Sequence, residues 1–116
     1  MSLDDAVHSF AFFDTPYCFV GHTHVPGIFV ERSASCEAVP VQEDRPVPLG
    51  QERMIINPGG VGQPRDSDPR AAYLILDTDG MTIEHHRAEY AIEVTQEKMR
   101  KGGLPRRLID RLGYGW

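Results

Sequence analysis

The sequence predicts an α+β fold, with four to six mostly antiparallel strands between helices at both ends. Three observations indicate this class. Residues 4–13 combine an acidic start with an apolar stripe, as in a short helix. Short apolar segments separated by glycine and proline fill the middle of the chain. Residues 71–89 read as two strands about an Asp-Gly pair, and in the second strand the side chains of a buried face alternate with those of a solvated face. The Asp-Gly pair is expected to supply the positive φ that a β-hairpin turn requires.

The first helix is predicted over residues 4–13. Val7, Phe10, Ala11 and Phe13 form its apolar stripe, and Thr15-Pro16 ends it because a residue before proline avoids helical geometry. The next four residues, 17–20, are a continuous apolar run. Such a run predicts a strand that is buried on both faces.

The later elements follow from the same local signals. Thr95 is predicted to cap a helix that runs through Lys101 and ends at Gly102-Gly103. Pro105 is predicted to begin a last helix, which buries Leu108, Ile109 and Leu112. Further strands are predicted over residues 28–31, 53–57, 71–77 and 81–89, with short strands and turns over residues 33–52.

Length and composition narrow the classes of function. The 116 residues suit one small domain, or a piece of a larger one in which residues 1–3 are a cloning leader. The formal charge of −5 argues against nucleic acid as the main partner. No apolar run approaches the length of a membrane span, which argues against a membrane. Cys18 and Cys36 form no CxxC motif, so two free thiols in a reducing cytoplasm are expected.

The most informative segment is Val20-Gly21-His22-Thr23-His24-Val25-Pro26. A strand that ends in Gly-His-x-His places two imidazoles at the carboxyl edge of a sheet, where ligands bind in open α/β sheets. Neutral imidazole is a ligand for zinc, iron, manganese and nickel. His22 and His24 are therefore candidate metal ligands, and a polar loop without a metal is the alternative.

A second motif accompanies the first. Residues 55–66 read Ile-Ile-Asn-Pro-Gly-Gly-Val-Gly-Gln-Pro-Arg-Asp, and residues 103–108 read Gly-Leu-Pro-Arg-Arg-Leu. With Gly-His-Thr-His and its following proline, these segments resemble the C-terminal part of calcineurin-like metallophosphoesterases, in particular their small bacterial and archaeal phosphodiesterase branch. The similarity runs from about residue 15 to the end. It implies the C-terminal part of a four-layer α/β/β/α sandwich.

The resemblance implies roles for individual residues. His22 would bind one metal and His24 the other in a site for two divalent ions, drawn from manganese, iron, zinc and nickel, that hydrolyses a phosphomonoester or phosphodiester. Asn57, Gly59, Gly60 and Arg65 would contact the substrate, Arg65 through a phosphate oxygen. A tight turn in which Arg65 pairs with Asp66 or Asp68 is an alternative, and Asn57 is expected as a turn residue. No catalytic side chain is assigned.

The remaining family motifs are missing. The family has Asp-x-His, Gly-Asp and Asn-His-Asp or Asn-His-Glu motifs and a further histidine, and none of these patterns occurs here. Two imidazoles do not hold two ions, so the chain is expected to be a single-domain C-terminal fragment, residues 1–116, that is inactive alone. Apolar surface left uncovered would favour self-association, or pairing with an N-terminal half.

Other features have simpler interpretations. Adjacent strand residues face opposite ways, so His85-His86 predicts one packed and one solvated histidine rather than a metal site. The basic residues between Lys98 and Arg111 are expected to form a solvated face. A cupin, a histidine-triad hydrolase and a non-catalytic module for assembly or regulation are the alternative classes. The cupin and triad motifs fit poorly, since Glu31 lies seven residues after His24 and Pro26 replaces a third histidine.

Overall fold

The computed structural model describes residues 2–33 and 35–116. The helices are α1 (Leu3–Ser9), α2 (Ile92–Lys101) and α3 (Arg106–Asp110), with short 3-10 turns at Phe10–Phe12 and Arg111–Gly113. The strands are β1 (Tyr17–Phe19), β2 (Gly27–Arg32), β3 (Ser35–Val39), β4 (Pro46–Pro48), β5 (Met54–Asn57), β6 (Ala71–Asp77) and β7 (Thr82–Ala88). Of the predicted leader, Met1 lies outside the described residues. Ser2 caps α1, and Leu3 is the first residue of that helix.

The strands form two sheets. Sheet A has the order β1-β5-β2-β3, and sheet B has the order β4-β7-β6. The β1–β5 pair is parallel, whereas the other strand pairs are antiparallel. The predicted α+β class with mostly antiparallel strands is confirmed. The described residues contain seven strands rather than four to six, because the segment 33–52 forms both β3 and β4.

The main core lies between the two sheets. Ile28, Ile56 and Ile83 are almost fully buried there, and their cluster joins residues of both sheets. Each buried isoleucine contributes about 1.5–3 kcal/mol relative to an exposed one. The strand ends that form the functional site therefore project from a rigid, desolvated base.

Helix α1 covers the other face of sheet A. Ala6 and Phe10 are buried against Ile55 in a second apolar cluster. The predicted stripe was wrong for Val7, which is 43% exposed, and for Ala11, which is also exposed. Within α1, Ala6 rather than Val7 faces the sheet. The α-helix ends at Ser9 and continues as a 3-10 turn, so Ala11 has a different angular position from the one in a regular helix.

Strand β1 lies at the edge of sheet A and pairs with β5 on one side. The prediction that residues 17–20 are buried on both faces was wrong, because Phe19 is 46% exposed and Tyr17 and Cys18 are only half-buried. A continuous apolar run indicates burial only where other layers cover both faces of the strand, and this cover is incomplete at the edge of a sheet. Here the outer edge of β1 has no neighbouring strand among the described residues.

The C-terminal helices pack against each other. Ile109 and Leu112 are buried as predicted, and Gly102-Gly103 ends α2 with Gly103 at φ +70°. The prediction that Thr95 caps α2 was wrong. The helix begins at Ile92, and the amide of Thr95 donates to the carbonyl of Ala91 within the first turn. No helix in residues 2–33 and 35–116 is long and apolar enough to cross a membrane.

Arg53 connects the α1 region to sheet A. Its Nη1 donates to both carboxylate oxygens of Glu31 at 3.0 Å. Its Nη2 donates to the carbonyls of Phe10, at 2.9 Å, and Phe13. The guanidinium also lies 4.6 Å from the centroid of the Phe13 ring. One half-buried cation thereby satisfies two carbonyls that follow the end of α1.

Replacement of this cation is expected to destabilise the fold. Arg53→Ala should lower the free energy of unfolding by about 2 kcal/mol, because it removes several charge-assisted hydrogen bonds. Arg32→Ala is the matched control. Arg32, also on sheet A, pairs with Glu37 and Glu52, and the side chains of all three residues are exposed, so its loss should cost less. Urea unfolding followed by circular dichroism measures both, and equal losses would contradict the role given to Arg53.

Candidate metal centre

The two motifs meet at one edge of sheet A. The loop 21–26 follows β1, and the loop 58–66 follows β5. Because β1 and β5 are parallel neighbours, their carboxyl ends lie side by side. The amide of Val20 extends this pairing through a bond of 2.9 Å to the carbonyl of Ile56. The edge at which His22 and His24 leave the sheet is the edge at which open α/β sheets bind ligands.

The histidine loop has an unusual backbone. His22 has φ +73° and His24 has φ +59°, in the left-handed region that β-carbon sterics disfavour. A non-glycine residue held there costs on the order of 1 kcal/mol, and such residues cluster at functional sites. The surrounding contacts must therefore stabilise this conformation.

Asn57 supplies the main contacts between the two loops. Its Nδ2 donates to Thr23 Oγ1 at 2.9 Å and to the Gly21 carbonyl at 3.3 Å. Its Oδ1 accepts from the amide of Gly59 at 2.9 Å, which makes Asn57 a turn residue as expected. The side chain is buried, with the residue only 2% exposed. Sequence reasoning identified the turn but missed the bonds to the histidine loop.

His85 supports Asn57 from sheet B. Its Nε2 donates to the Asn57 carbonyl over 3.0 Å, and the residue is 5% exposed. Burial lowers the pKa of His85 below its ordinary value, which favours the neutral ring. The prediction of one packed and one solvated histidine at positions 85 and 86 is confirmed for His85 and was wrong for His86, whose side chain is only 17% exposed because Tyr73 and Asp44 cover its ring.

His24 is oriented for ligation. Its Nδ1 lies 2.7 Å from the carbonyl oxygen of Gln63. Because a carbonyl only accepts, Nδ1 carries the proton in the neutral ring, and Nε2 keeps its lone pair. A backbone carbonyl on the distal nitrogen is a common partner of metal-binding histidines. Sequence reasoning missed Gln63, which lies 39 residues away in the chain. His22 is exposed on the same loop.

Among the described residues, His22 and His24 have no further candidate ligand close to them. Across residues 2–33 and 35–116, neither His22 nor His24 belongs to a group of three or more His, Cys, Asp or Glu atoms close enough to share an ion. Catalytic zinc sites use three protein ligands, so two imidazoles fit part of such a site. Asp44, Glu84 and His86 form a group of this kind elsewhere.

The glycines of the second loop allow close packing. Gly59 has φ +90°, and a β-carbon there would lie 2.7 Å from that of Ala72 and 2.9 Å from Cγ of Pro26. A β-carbon on Gly60 would lie 3.0 Å from that of His24. The amide of Gly59 is already bonded to Asn57, which favours a packing role for Gly59 over phosphate contact.

Arg65 projects from the same loop. The residue is exposed, and its Nη2 donates to Gln63 Oε1 over 2.8 Å. The alternative in which Arg65 pairs with Asp66 or Asp68 was wrong, because those carboxylates pair with Arg87 and Arg70. Arg87 of β7, whose side chain is 11% exposed, is a residue that sequence reasoning missed. It ties the end of the loop to sheet B and leaves Arg65 facing solvent.

A cavity of about 390 Å³ lies beside the histidine loop. Val25 and Pro26 border it, with Asp66, His85 and Arg87 among its other lining residues. His22 and His24 are not among them. The Arg87 side chain in this cavity already pairs with Asp66, so it is not free to bind an anion. This cavity is therefore not the candidate phosphate site.

Comparisons with known proteins find relatives in both sequence and structure. A crystal structure of a metallophosphoesterase from Sphaerobacter thermophilus matches with a TM-score of 0.88 and 45% identity, covering 97% of this chain and 46% of that one. An uncharacterized protein of Methanocaldococcus jannaschii is 39% identical over 98 residues, which is 84% of this chain and 38% of that protein. No protein-family model matches. The chain thus spans less than half the length of either relative.

The packing of the glycine loop yields a test. Gly59→Ala should lower the free energy of unfolding by about 1–3 kcal/mol, because it adds a β-carbon at a positive φ against Ala72 and Pro26. Gly62→Ala is the control, since a β-carbon there meets no atom within 4 Å. Thermal unfolding measures both variants. A neutral Gly59→Ala substitution would show that the two loops do not pack as described.

Proposed function

We propose that this chain, which is related in sequence and fold to part of the calcineurin-like metallophosphoesterases, supplies two metal ligands to a phosphoesterase site. The ligands are His22 and His24. The observation that supports this most directly is the hydrogen bond from His24 Nδ1 to the Gln63 carbonyl, which leaves Nε2 as a metal-binding lone pair at the carboxyl edge of sheet A.

The loop geometry suits this role. Two left-handed histidines, separated by one residue, are held through the buried amide of Asn57. A loop fixed in this way loses little conformational entropy when an ion binds, so the ligands are preorganised. Two divalent ions, from the group manganese, iron, zinc and nickel, would stabilise the negative charge that develops on the phosphoryl oxygens.

The carboxylate ligands are proposed to lie in additional polypeptide. The Sphaerobacter metallophosphoesterase contains a part, more than half of its length, that this chain does not match. Polypeptide equivalent to that part would complete the ion pair, and the 116-residue chain alone is proposed to be inactive. The exposed outer edge of β1, with Phe19 46% exposed, is the proposed contact for that polypeptide or for a second copy.

The proposed substrate is a phosphomonoester or a phosphodiester. Arg65 is exposed on the loop beside the histidines and presents a guanidinium, whose planar fork suits two phosphate oxygens. Gly60 lies against His24 and lets the loop approach the centre closely.

The proposed location is the cytoplasm. Cys18 and Cys36 are free thiols, which supports a cytoplasmic location.

Metal binding by the loop is testable in this chain. Titration with Mn²⁺ should broaden the NMR signals of residues 21–26 and 57–66, because Mn²⁺ is paramagnetic and affects nuclei near its binding site. His24→Ala should lower the affinity for Mn²⁺ at least about tenfold. Loss of a residue that only supports a ligand lowers metal affinity by about this factor, and loss of the ligand itself should lower it at least as much. His8→Ala, at an exposed histidine of α1, should leave it unchanged. Equal broadening in His24→Ala would contradict the assignment.

The proposed activity is testable in a chimera. This chain would replace the matching part of the Sphaerobacter metallophosphoesterase, and hydrolysis of p-nitrophenyl phosphate and bis-p-nitrophenyl phosphate would be assayed with Mn²⁺. We expect turnover by the chimera and none by the chain alone. His22→Ala or His24→Ala should lower kcat/KM of the chimera at least about 100-fold, and His8→Ala should not.

Two outcomes would contradict this proposal. Turnover by the 116-residue chain that depends on His24 would show that it needs no further ligands. A folded, metal-loaded chimera whose activity is indifferent to both histidines would favour the non-catalytic module over the phosphoesterase.

A further inference from the structure

A second group of ligand atoms lies on the outer face of sheet B. Glu84 and His86 are two residues apart on β7, so their side chains leave the same face. His85, between them, faces inward and contacts Asn57. Asp44 lies beside β7, where its amide donates to the His85 carbonyl over 2.9 Å. One ligand atom from each of Asp44, Glu84 and His86 lies within 4.8 Å of the others.

The histidine of this group is held on two sides. Its Nδ1 lies 2.7 Å from Asp44 Oδ1, and its ring stacks on Tyr73 with 5.1 Å between centroids and 21° between planes. A carboxylate accepts the proton of Nδ1. In the neutral ring, Nε2 therefore carries the lone pair, as in the carboxylate–histidine–metal arrangement of many metalloproteins.

The other nitrogen faces a carboxylate without a hydrogen bond. His86 Nε2 is a buried atom with no hydrogen-bond partner among the described residues, and Glu84 Oε1 lies 3.4 Å from it. In the neutral ring these are two lone-pair atoms facing each other, an arrangement that a cation between them would stabilise. Two ligands on one tetrahedral ion with bonds of about 2.1 Å lie about 3.4 Å apart, so this spacing fits a metal ion.

We propose that Glu84 and His86 bind a divalent transition-metal ion such as Zn²⁺ on the outer face of sheet B, with Asp44 as the positioning carboxylate. Two carboxylates balance the charge of the ion, and water completes its coordination. Imidazole favours zinc over magnesium or calcium, which prefer oxygen ligands alone. The side chains of Glu84 and Asp44 are 34% and 68% exposed, so the ion has access from solvent.

This site is independent of the proposed phosphoesterase function, and its test removes the two histidines of the other candidate site, His22 and His24. Zn²⁺ binding is measured by isothermal titration calorimetry in a His22→Ala/His24→Ala background. We expect one equivalent of Zn²⁺ to bind. Adding His86→Gln or Glu84→Gln should weaken this binding at least tenfold, and Asp44→Asn should weaken it less. His8→Gln, a substitution of an exposed histidine on α1, should have no effect.

A second measurement protects the test against misfolding of the background. In the unmodified chain, Zn²⁺ should shift the NMR signals of Asp44, Glu84 and His86, and Mg²⁺ at the same concentration should not. The proposal is overturned if the folded background binds no Zn²⁺, or if His86→Gln leaves the affinity unchanged. Either result would mean that a proton, rather than a metal ion, lies between His86 and Glu84.

Discussion

The parallel pairing of β1 with β5 is the constraint on which the candidate centre depends. Its register sets Cys18 beside Ile55 and Phe19 beside Ile56, so that both strands end at the same edge. Ile55 and Ile56 are fully buried on opposite faces of sheet A, one against α1 and one against sheet B. The position of the histidine loop is therefore a consequence of core packing.

A buried amide then converts two adjacent loops into one unit. Asn57 donates to the histidine loop and accepts from its own turn, so its polar atoms are satisfied inside the protein. Loss of one partner would leave a buried polar group unsatisfied, at a cost of about 1–3 kcal/mol. This penalty is of the same order as the cost of the two left-handed histidines, on the order of 1 kcal/mol each, so the bonds of Asn57 help the loop to keep its strained backbone.

The two sheets also decide between the alternative folds. A cupin encloses its metal in a β-barrel, whereas sheets A and B have separate edge strands, β1 and β3 in one and β4 and β6 in the other. The cupin alternative is therefore wrong. The neighbouring histidines of β7 show how one strand serves two environments: His85 is desolvated beneath the loops, and His86 lies among carboxylates on the outer face.

Local sequence determined most of the elements and the placement of the two histidines. The hairpin forms about Asp79-Gly80 as predicted, but the prediction that this pair supplies the positive φ was wrong, because Met81 has it, at φ +49°. Gly102-Gly103 ends α2, and an apolar run before Gly21 places His22 and His24 at a strand end. These signals are readable because a turn, a cap or a strand end depends on a few adjacent residues.

Tertiary structure alone decided which distant groups meet. The bond between His24 and Gln63 spans 39 residues, and that between His86 and Asp44 spans 42. The burial of Ala6 in place of Val7 likewise depends on how α1 lies on sheet A. Such contacts depend on strand register and on the packing of the sheets. Both are set by the sum of interactions along the whole chain, so no local pattern of residues encodes these contacts.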